Sequence, residues 1–255
     1  MDLQQITPVI LTFNESANIA RTLGPLRWAQ SVIVLDSGSS DNTVELCRQF
    51  PNVTVHERKF DRHAEQWNYG VNLARTDWVL ALDADYVTDA AFAAELEASL
   101  ISPGRAAFFA NFIYCVFGTP LRASLYPPRA VLFRRDQAQY TQDGHTQLLQ
   151  FEGTAGHLDT PIRHDDRKPL AQWLEAQNRY AGLEVDKLTS ATAPLGFRDS
   201  LRKWIFIMPF AMPVYCLILK GLIFDGAAGL HYTFQRTMAE IILSLRLIER
   251  KLRRS

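Results

Sequence analysis

Short apolar runs rich in β-branched residues alternate with mixed apolar and polar stretches through the first hundred residues. This alternation predicts strands and helices in turn. Residues 7–13 (TPVILTF), 31–36 (SVIVLD), 53–56 and 78–82 (WVLAL) read as strands. Uninterrupted apolar runs of this length are what strands covered on both faces look like. Between them, residues 17–26, 43–50 and 63–74 predict helices, the second stopped by Pro51, and 89–100 predicts a fourth. Gly38-Ser39-Ser40-Asp41 predicts a turn, with Ser40 or Asp41 capping the helix that follows. The βαβαβαβ order implies an α/β fold with a Rossmann-like, mostly parallel sheet flanked by helices.

The pattern changes after Pro103-Gly104. Residues 106–117 are apolar and aromatic and predict a strand or a strand pair; 130–134 and 148–151 predict further strands. Residues 169–187 predict a long helix with Trp173, Ala176, Tyr180 and Leu183 near one face. Mixed-direction strands are expected in this half. Residues 204–219 (WIFIMPFAMPVYCLIL) then carry no charge, and Lys220 interrupts before 221–224. That run is shorter than the roughly 20 apolar residues a straight span needs. Pro209 and Pro213 are expected to kink or break any helix there. Residues 233–254 predict a closing helix with a basic end.

Composition changes this picture at one point only. At 255 residues the chain can bury a sizeable core, and its apolar and charged fractions are ordinary for a globular protein. The net charge is zero, so nucleic acid is not an expected partner. Zero conceals a division, however. From Arg198 onward there are ten basic and four acidic residues, a balance of +6 against −6 in the remainder. Cys47, Cys115 and Cys216 show neither metal-ligand spacing nor a disulfide framework, which fits a reducing compartment. Met1-Asp2-Leu3-Gln4-Gln5 leads into a strand-like segment with no leader pattern, so no leader is expected.

The chemistry concentrates where the fourth strand ends. Asp83-Ala84-Asp85 follows the run 78–82 directly. Ligands of open α/β sheets bind beyond the carboxyl ends of the strands. Mg²⁺ is typically held by one or two carboxylates together with substrate phosphates. Two carboxylates one residue apart at such a strand end therefore point to a metal-diphosphate ligand, with a nucleotide-sugar the best fit.

Three phrases in this order, VILTFNESANI, VIVLDSGSSDNTVE and WVLALDADY, resemble the family 2 glycosyltransferases with the GT-A fold. Within them the resemblance is nearest to the lipooligosaccharide core β-1,4-glucosyltransferase-like branch. It covers residues 7–89 strongly and 145–230 more loosely. The resemblance implies that residues 1–197 form a GT-A domain, 1–102 its nucleotide-binding half and 103–197 its acceptor half, with 198–255 as a helical appendage. It implies that Thr12, Phe13, Asn14 and Glu15 edge the base and ribose. Asp36 would accept from a uracil N–H or a ribose hydroxyl, beside Ser37 where many relatives carry a second acid. Gln66 and Asn68 match a donor-contacting Gln-x-Asn pattern. Asp85 would ligate Mg²⁺ or Mn²⁺, with Asp83, one side of Ala84, facing the ribose or the ion's water shell. Such an ion offsets the charge that builds on a departing nucleoside diphosphate.

An inverting transferase also needs a group to take the acceptor hydroxyl's proton. Relatives often show a His-Glu pair where this chain reads Asp143-Gly144-His145-Thr146. With the Glu replaced, Asp143 or His145 becomes the candidate base, and Asp165 and Asp166 beside His164 stand second. The spacing of His145, His157 and His164 does not suit zinc. Arg129, Arg134 and Arg135 are either diphosphate contacts or ordinary surface charges. Phe108, Phe109, Phe112, Tyr114 and Phe117 read as core.

The function expected is metal-dependent, inverting transfer of a hexose, glucose first among the candidates, from a UDP-sugar donor to a lipid-linked saccharide. The lipopolysaccharide or lipooligosaccharide core is such an acceptor. The phrase Lys220-Gly221-Leu222-Ile223-Phe224-Asp225-Gly226-Ala227-Ala228-Gly229 also matches the branch. The apolar, basic segment 198–255 is expected to dock on a membrane surface, to span it, or to be buried as a packing element. Docking would place the enzyme in the cytoplasm, peripheral on the inner face of the cytoplasmic membrane. Two rivals are a polyprenyl-phosphate sugar transferase and a non-catalytic nucleotide-sugar binding protein. A nucleotidyltransferase would need a Gly-rich basic loop after the first strand, which TFNES is not.

Overall fold

The computed structural model describes residues 2–99, 104–143, 146–190, 205 and 207–253. The chain divides into two compact units, Met1–Cys115 with Leu125–Arg167, and Val116–Ser124 with Lys168–Ser255. The second unit is thus drawn from Val116–Ser124 and from Lys168 onward, where the sequence sets a boundary at 198.

The first unit opens with β1 (Ile6–Thr12), α1 (Ile19–Leu23), β2 (Val32–Asp36), α2 (Thr43–Cys47), β3 (Val53–Glu57), α3 (His63–Leu73) and β4 (Trp78–Asp83). β5 (Tyr86–Val87), α4 (Ala90–Ser99) and β6 (Arg105–Val116) follow. The strands lie in the order β3-β2-β1-β4, all parallel. Their residues alternate between two cores. Val9, Val79 and Ala81 face one with Trp67 and Phe133, and Ile10, Leu80 and Leu82 face the other with Phe92 and Leu132. Both faces of the sheet are therefore covered, which is why these strands read as continuous apolar runs. The expected helix 17–26 is cut to Ile19–Leu23 and continues as a 3₁₀ turn, Gly24–Trp28, because Pro25 cannot supply a helical amide.

The sheet continues with β8 (Arg129–Arg134), antiparallel to β4 and to β6. Next come β11 (Thr154–His164), parallel to β6, and β5, antiparallel to β11. The expected strand or strand pair at 106–117 is one strand. β9 (Ala138–Asp143) and β10 (Thr146–Phe151) form a separate antiparallel ribbon. Of the aromatic residues expected in the core, Phe108 is buried there, whereas Phe117 is exposed.

In the second unit, β7 (Thr119–Pro120), α5 (Leu170–Ser190), α6 (Ile207–Val214) and α7 (Gly226–Leu252) are described. α5 packs on α7 through Val185, Leu188, Leu243 and Leu247. The prolines do not break α6. Pro209 lies in its first turn, where an amide has no helical acceptor in any case. Past Pro213 the helix widens into a π turn, Tyr215–Leu219, closed by the Lys220 amide on the Tyr215 carbonyl at 2.9 Å. The chain turns instead at Gly221, whose φ of 68° favours glycine. Gly229 is needed for a different reason: a Cβ there would lie 1.9 Å from the Leu222 carbonyl oxygen. Asp225 ties the same turn to Arg122, accepting from its backbone amide at 3.0 Å and its Nε at 2.8 Å.

Candidate functional site

Strand order places the site. β1 runs on to β2 and β3 on one side, while β4 lies on its other side, so the carboxyl ends of β1 and β4 flank the point where the order reverses. Crevices of this kind are where open α/β sheets bind ligands. Register brings Asp83 opposite Leu11, and Asp36 opposite Thr12.

The loop after β1 is built by side chains of the loop after β2. Asn14 sits at φ 55°, its amide donating to Ser39 Oγ at 2.8 Å and its Oδ1 accepting from the Ser40 amide at 2.8 Å. The Glu15 amide donates to Thr43 Oγ1 at 2.8 Å and the Ser16 amide to Asp41 Oδ2 at 3.1 Å. Phe13 is exposed beside them. Asp36 anchors the whole corner. It is buried and accepts from Thr12 Oγ1 (2.8 Å), Ser39 Oγ (2.6 Å) and the amides of Gly38 (2.9 Å) and Ser39 (2.7 Å). A carboxylate has about four acceptor positions, so Asp36 and Thr12 serve the loop from within. A contact from Asp36 to a base would have to replace one of these bonds.

Gln66 and Asn68 also have partners inside the fold. Gln66 is fully buried, donating to Ser37 Oγ at 3.0 Å and to the Arg58 carbonyl at 3.1 Å while accepting from the Arg58 guanidinium. Asn68 donates to the Tyr140 carbonyl at 2.9 Å and accepts its amide at 2.8 Å. Both amides bond inside the fold, the second pinning α3 to β9.

After β4 the chain turns through Ala84 and Asp85 into β5. Thr22 Oγ1 holds the Ala84 carbonyl at 2.6 Å, and the Asp165 amide holds the Asp85 carbonyl at 3.0 Å. Pairing of β5 with β11 sets Tyr86 opposite His164, and pairing of β11 with β6 sets Tyr114 opposite it too. His164 Nε2 consequently lies 3.2 Å from Asp85 Oδ2. Rings of Tyr126, Tyr114 and Tyr86 surround the imidazole, with centroids at 4.5, 4.7 and 5.3 Å. Burial works against a charged ring here. The Asp85 carboxylate, with Asp83 and Asp166 beyond it, outweighs that and raises the His164 pKa above the usual imidazole value. The sequence shows His164 as a neighbour of candidate bases and as a poor zinc ligand; its place beside Asp85 is a finding of the structure.

Arg129 stands on the same side, its guanidinium 5.0 Å from the Tyr126 centroid. Burial opposes its charge, but Tyr126, Tyr86 and Asp83 outweigh it. Of the second-line bases, Asp165 is buried and accepts from Arg21 at 2.6 Å and Arg167 at 2.9 Å. Asp166 accepts from Asn18 Nδ2 at 2.8 Å, and the same amide donates to Glu15 at 2.9 Å. These carboxylates brace the first loop against β11. His145 lies outside the described residues, and of Asp143 only the backbone pairing to Thr146 is described.

The donor set suits a hard divalent ion that takes its remaining ligands from a diphosphate and water. Among the described residues no group of three or more His, Cys, Asp or Glu side chains forms a ligand set complete in itself. A cation shared between Asp83, Asp85 and a phosphate ligand fits this arrangement.

A sheet of this order with an Asp-x-Asp turn at its reversal point defines the GT-A class of folds. Residues 7–152 match the family model described as Glycosyl transferase family 2, so the chain belongs to that family. An uncharacterized glycosyltransferase of Rickettsia felis is 33% identical over 84 residues, 32% of this chain and 29% of that protein. A poly-beta-1,6-N-acetyl-D-glucosamine synthase of Staphylococcus aureus is 34% identical over 98 residues, 34% of this chain and 23% of that protein. The matches thus span under a third of these relatives' lengths. Among solved structures, the mannosyltransferase PcManGT of Pyrobaculum calidifontis, in complex with GDP-Man and Mn²⁺, has a TM-score of 0.52 at 15% identity. That match covers 97% of this chain and 88% of the other. S. aureus TarS 1-349 in complex with UDP-GlcNAc has a TM-score of 0.50 at 12% identity, covering 98% and 92%.

Proposed function

We propose that this protein is a metal-dependent, inverting glycosyltransferase. It moves a hexose, glucose first among the candidates, from a UDP-sugar to a lipid-linked saccharide such as a lipopolysaccharide or lipooligosaccharide core. Its place is the cytoplasmic face of the inner membrane. The observation that carries this reading is the Asp83-Ala84-Asp85 turn at the reversal point of the sheet, with His164 against Asp85. Family membership, the GDP-Man and Mn²⁺ complex of PcManGT and the UDP-GlcNAc complex of TarS support a nucleotide-sugar donor. Asp83 and Asp85 would hold Mg²⁺ or Mn²⁺, which supplies charge neutralisation for the leaving diphosphate. Exposed Phe13 and half-buried Asn14 and Glu15 border the nucleoside. Asp143, with His145 as its alternative, takes the proton of the acceptor hydroxyl.

A nucleotide-sugar screen by thermal shift, with and without Mn²⁺, tests the reading. A ligand at 100 times its dissociation constant stabilises the fold by about 2.7 kcal/mol. One UDP-hexose should produce such a shift only with metal, and Asp85→Ala should lose it while keeping the circular dichroism of the parent. No shift with any nucleotide-sugar, or an equal shift in Asp85→Ala, overturns it. A polyprenyl phosphate acceptor is the second reading, favoured by the exposed apolar surface of the second unit. Comparing transfer to an oligosaccharide-lipid and to a polyprenyl phosphate separates the two.

A further inference from the structure

The second unit exposes large apolar side chains in a pattern that a water-facing surface does not explain. On α6 and the turn after it, Phe210, Leu219 and Phe224 are 77%, 72% and 75% exposed, and Ile218 and Ile223 are exposed between them. On α7 the exposed apolar residues are Leu230, Phe234, Met238, Ile241, Leu245 and Leu252. Their spacing of three, four and seven keeps them on one stripe. The buried positions of α7, among them Gly229, Tyr232, Thr233, Glu240 and Leu243, fall on another. At 1.5 Å per residue the exposed stripe runs about 33 Å. Such a surface exceeds the scattered apolar residues a soluble protein shows.

Two observations say what covers it. First, cations rim the exposed turn: Lys220 Nζ lies 5.7 Å from the Tyr215 ring centroid, and the guanidinium of Arg122, which is ion-paired with Asp225, lies 5.1 Å from that of Phe224. Residues 207–253 carry six basic and three acidic side chains. Two copies meeting through this face would bring like charges together, whereas anionic head groups neutralise them. Second, no single described helix is long and apolar enough to cross a bilayer; Ile207–Leu219 and Leu222–Leu252 reach that length and apolarity only together, and they meet at a bend of 74°. Away from its apolar stripe, α7 carries Arg246 and Arg250, engaged with Asn178 and Asp186 of α5. Those groups cannot sit in hydrocarbon.

We infer that the second unit docks on an anionic bilayer from one side. Phe210, Leu219 and Phe224 enter the head-group region at the turn, and α7 lies along the surface on its apolar stripe. In this arrangement the described helices do not cross. Of docking, spanning and burial, docking is the one inferred, and it deepens the proposed function by naming the surface on which a lipid-linked acceptor would be met. The observations beneath it are independent of the donor site.

Flotation of the full chain without nucleotide tests it. Vesicles of phosphatidylcholine alone are compared with vesicles carrying about a quarter phosphatidylglycerol. The protein should float with the anionic vesicles. A Phe224→Glu/Phe234→Glu variant should partition roughly tenfold less or worse, with unchanged circular dichroism because both positions face out. A solvatochromic dye on Phe224→Cys should shift to the blue on adding anionic vesicles. Protein that stays at the bottom with both vesicle types, or a double variant that floats like its parent, overturns the inference. So does a dimer that the double variant dissolves without any flotation, since a second copy would then cover the face. A negative donor screen leaves this result untouched, and failed flotation leaves the donor site standing.

Discussion

His164 and Asp85 are 79 positions apart in sequence and 3.2 Å apart in space. Their contact orients the carboxylate on which the donor reading depends. Groups that orient a metal-binding side chain typically change metal affinity by 10–100-fold when removed. His164→Gln should therefore raise the Mn²⁺ concentration needed for donor-dependent stabilisation by roughly that factor, with the fold intact. Titrating Mn²⁺ against the thermal shift reads this out; an unchanged midpoint makes His164 a packing residue only. The sequence showed Asp83 and Asp85 because two acids after an apolar run are a local pattern. It did not show His164 beside them, because nothing local distinguishes that histidine from His157. Asp36, Gln66 and Asn68 mark the opposite limit: each fits a motif, and in the fold each satisfies internal partners that a linear pattern cannot reveal.

At the scale of elements, the parallel strands were legible because burial on both faces writes an uninterrupted apolar run. β11 was not. It reads TAGHLDTPIRH, with Gly156 and Pro161 inside it and little alternation. The register slips between Leu158 and Ile162, at the proline, which can be accommodated in a strand at such an irregularity. Yet Leu158 and Ile162 are buried, and this strand carries His164 to the site. The β9–β10 ribbon depends on α3 through the paired bonds of Asn68 to Tyr140. Asn68→Ala leaves a partly buried backbone donor and acceptor unpaired, so it should cost roughly 1–3 kcal/mol. Chemical denaturation measures the loss. Nucleotide binding by the folded variant should be unchanged; weakened binding at full stability would restore Asn68 to the donor site.

For the molecule as a whole, acid is the condition that should expose how the first unit is held. Burial tends to raise the pKa of Asp41, but its hydrogen bonds from Thr43 and Ser16 outweigh this and hold it below the ordinary carboxylate value. Burial and the bonds from Thr160 and Asp159 compete in the same way at Glu95, with the same outcome. Once unfolded, these carboxylates bind protons at higher pH than in the fold, so their contribution is present above the unfolded pKa and is lost as pH falls through the folded one. Melting temperature should drop below about pH 5, and an Asp41→Asn/Glu95→Gln variant should show a shallower slope. Equal slopes would place the acid sensitivity elsewhere. By itself the sequence determined the strand–helix alternation, the acidic turn at the end of β4 and the basic, apolar character of the C-terminal segment. Each follows from neighbouring residues, through periodicity, capping and local charge. Tertiary structure alone decided that Asp85 meets His164, that Asp165 serves Arg21 and Arg167, and that the apolar stripe of α7 faces outward. Those outcomes depend on strand pairing and on which face of a helix finds a partner, and both are properties of contacts between residues far apart in the chain.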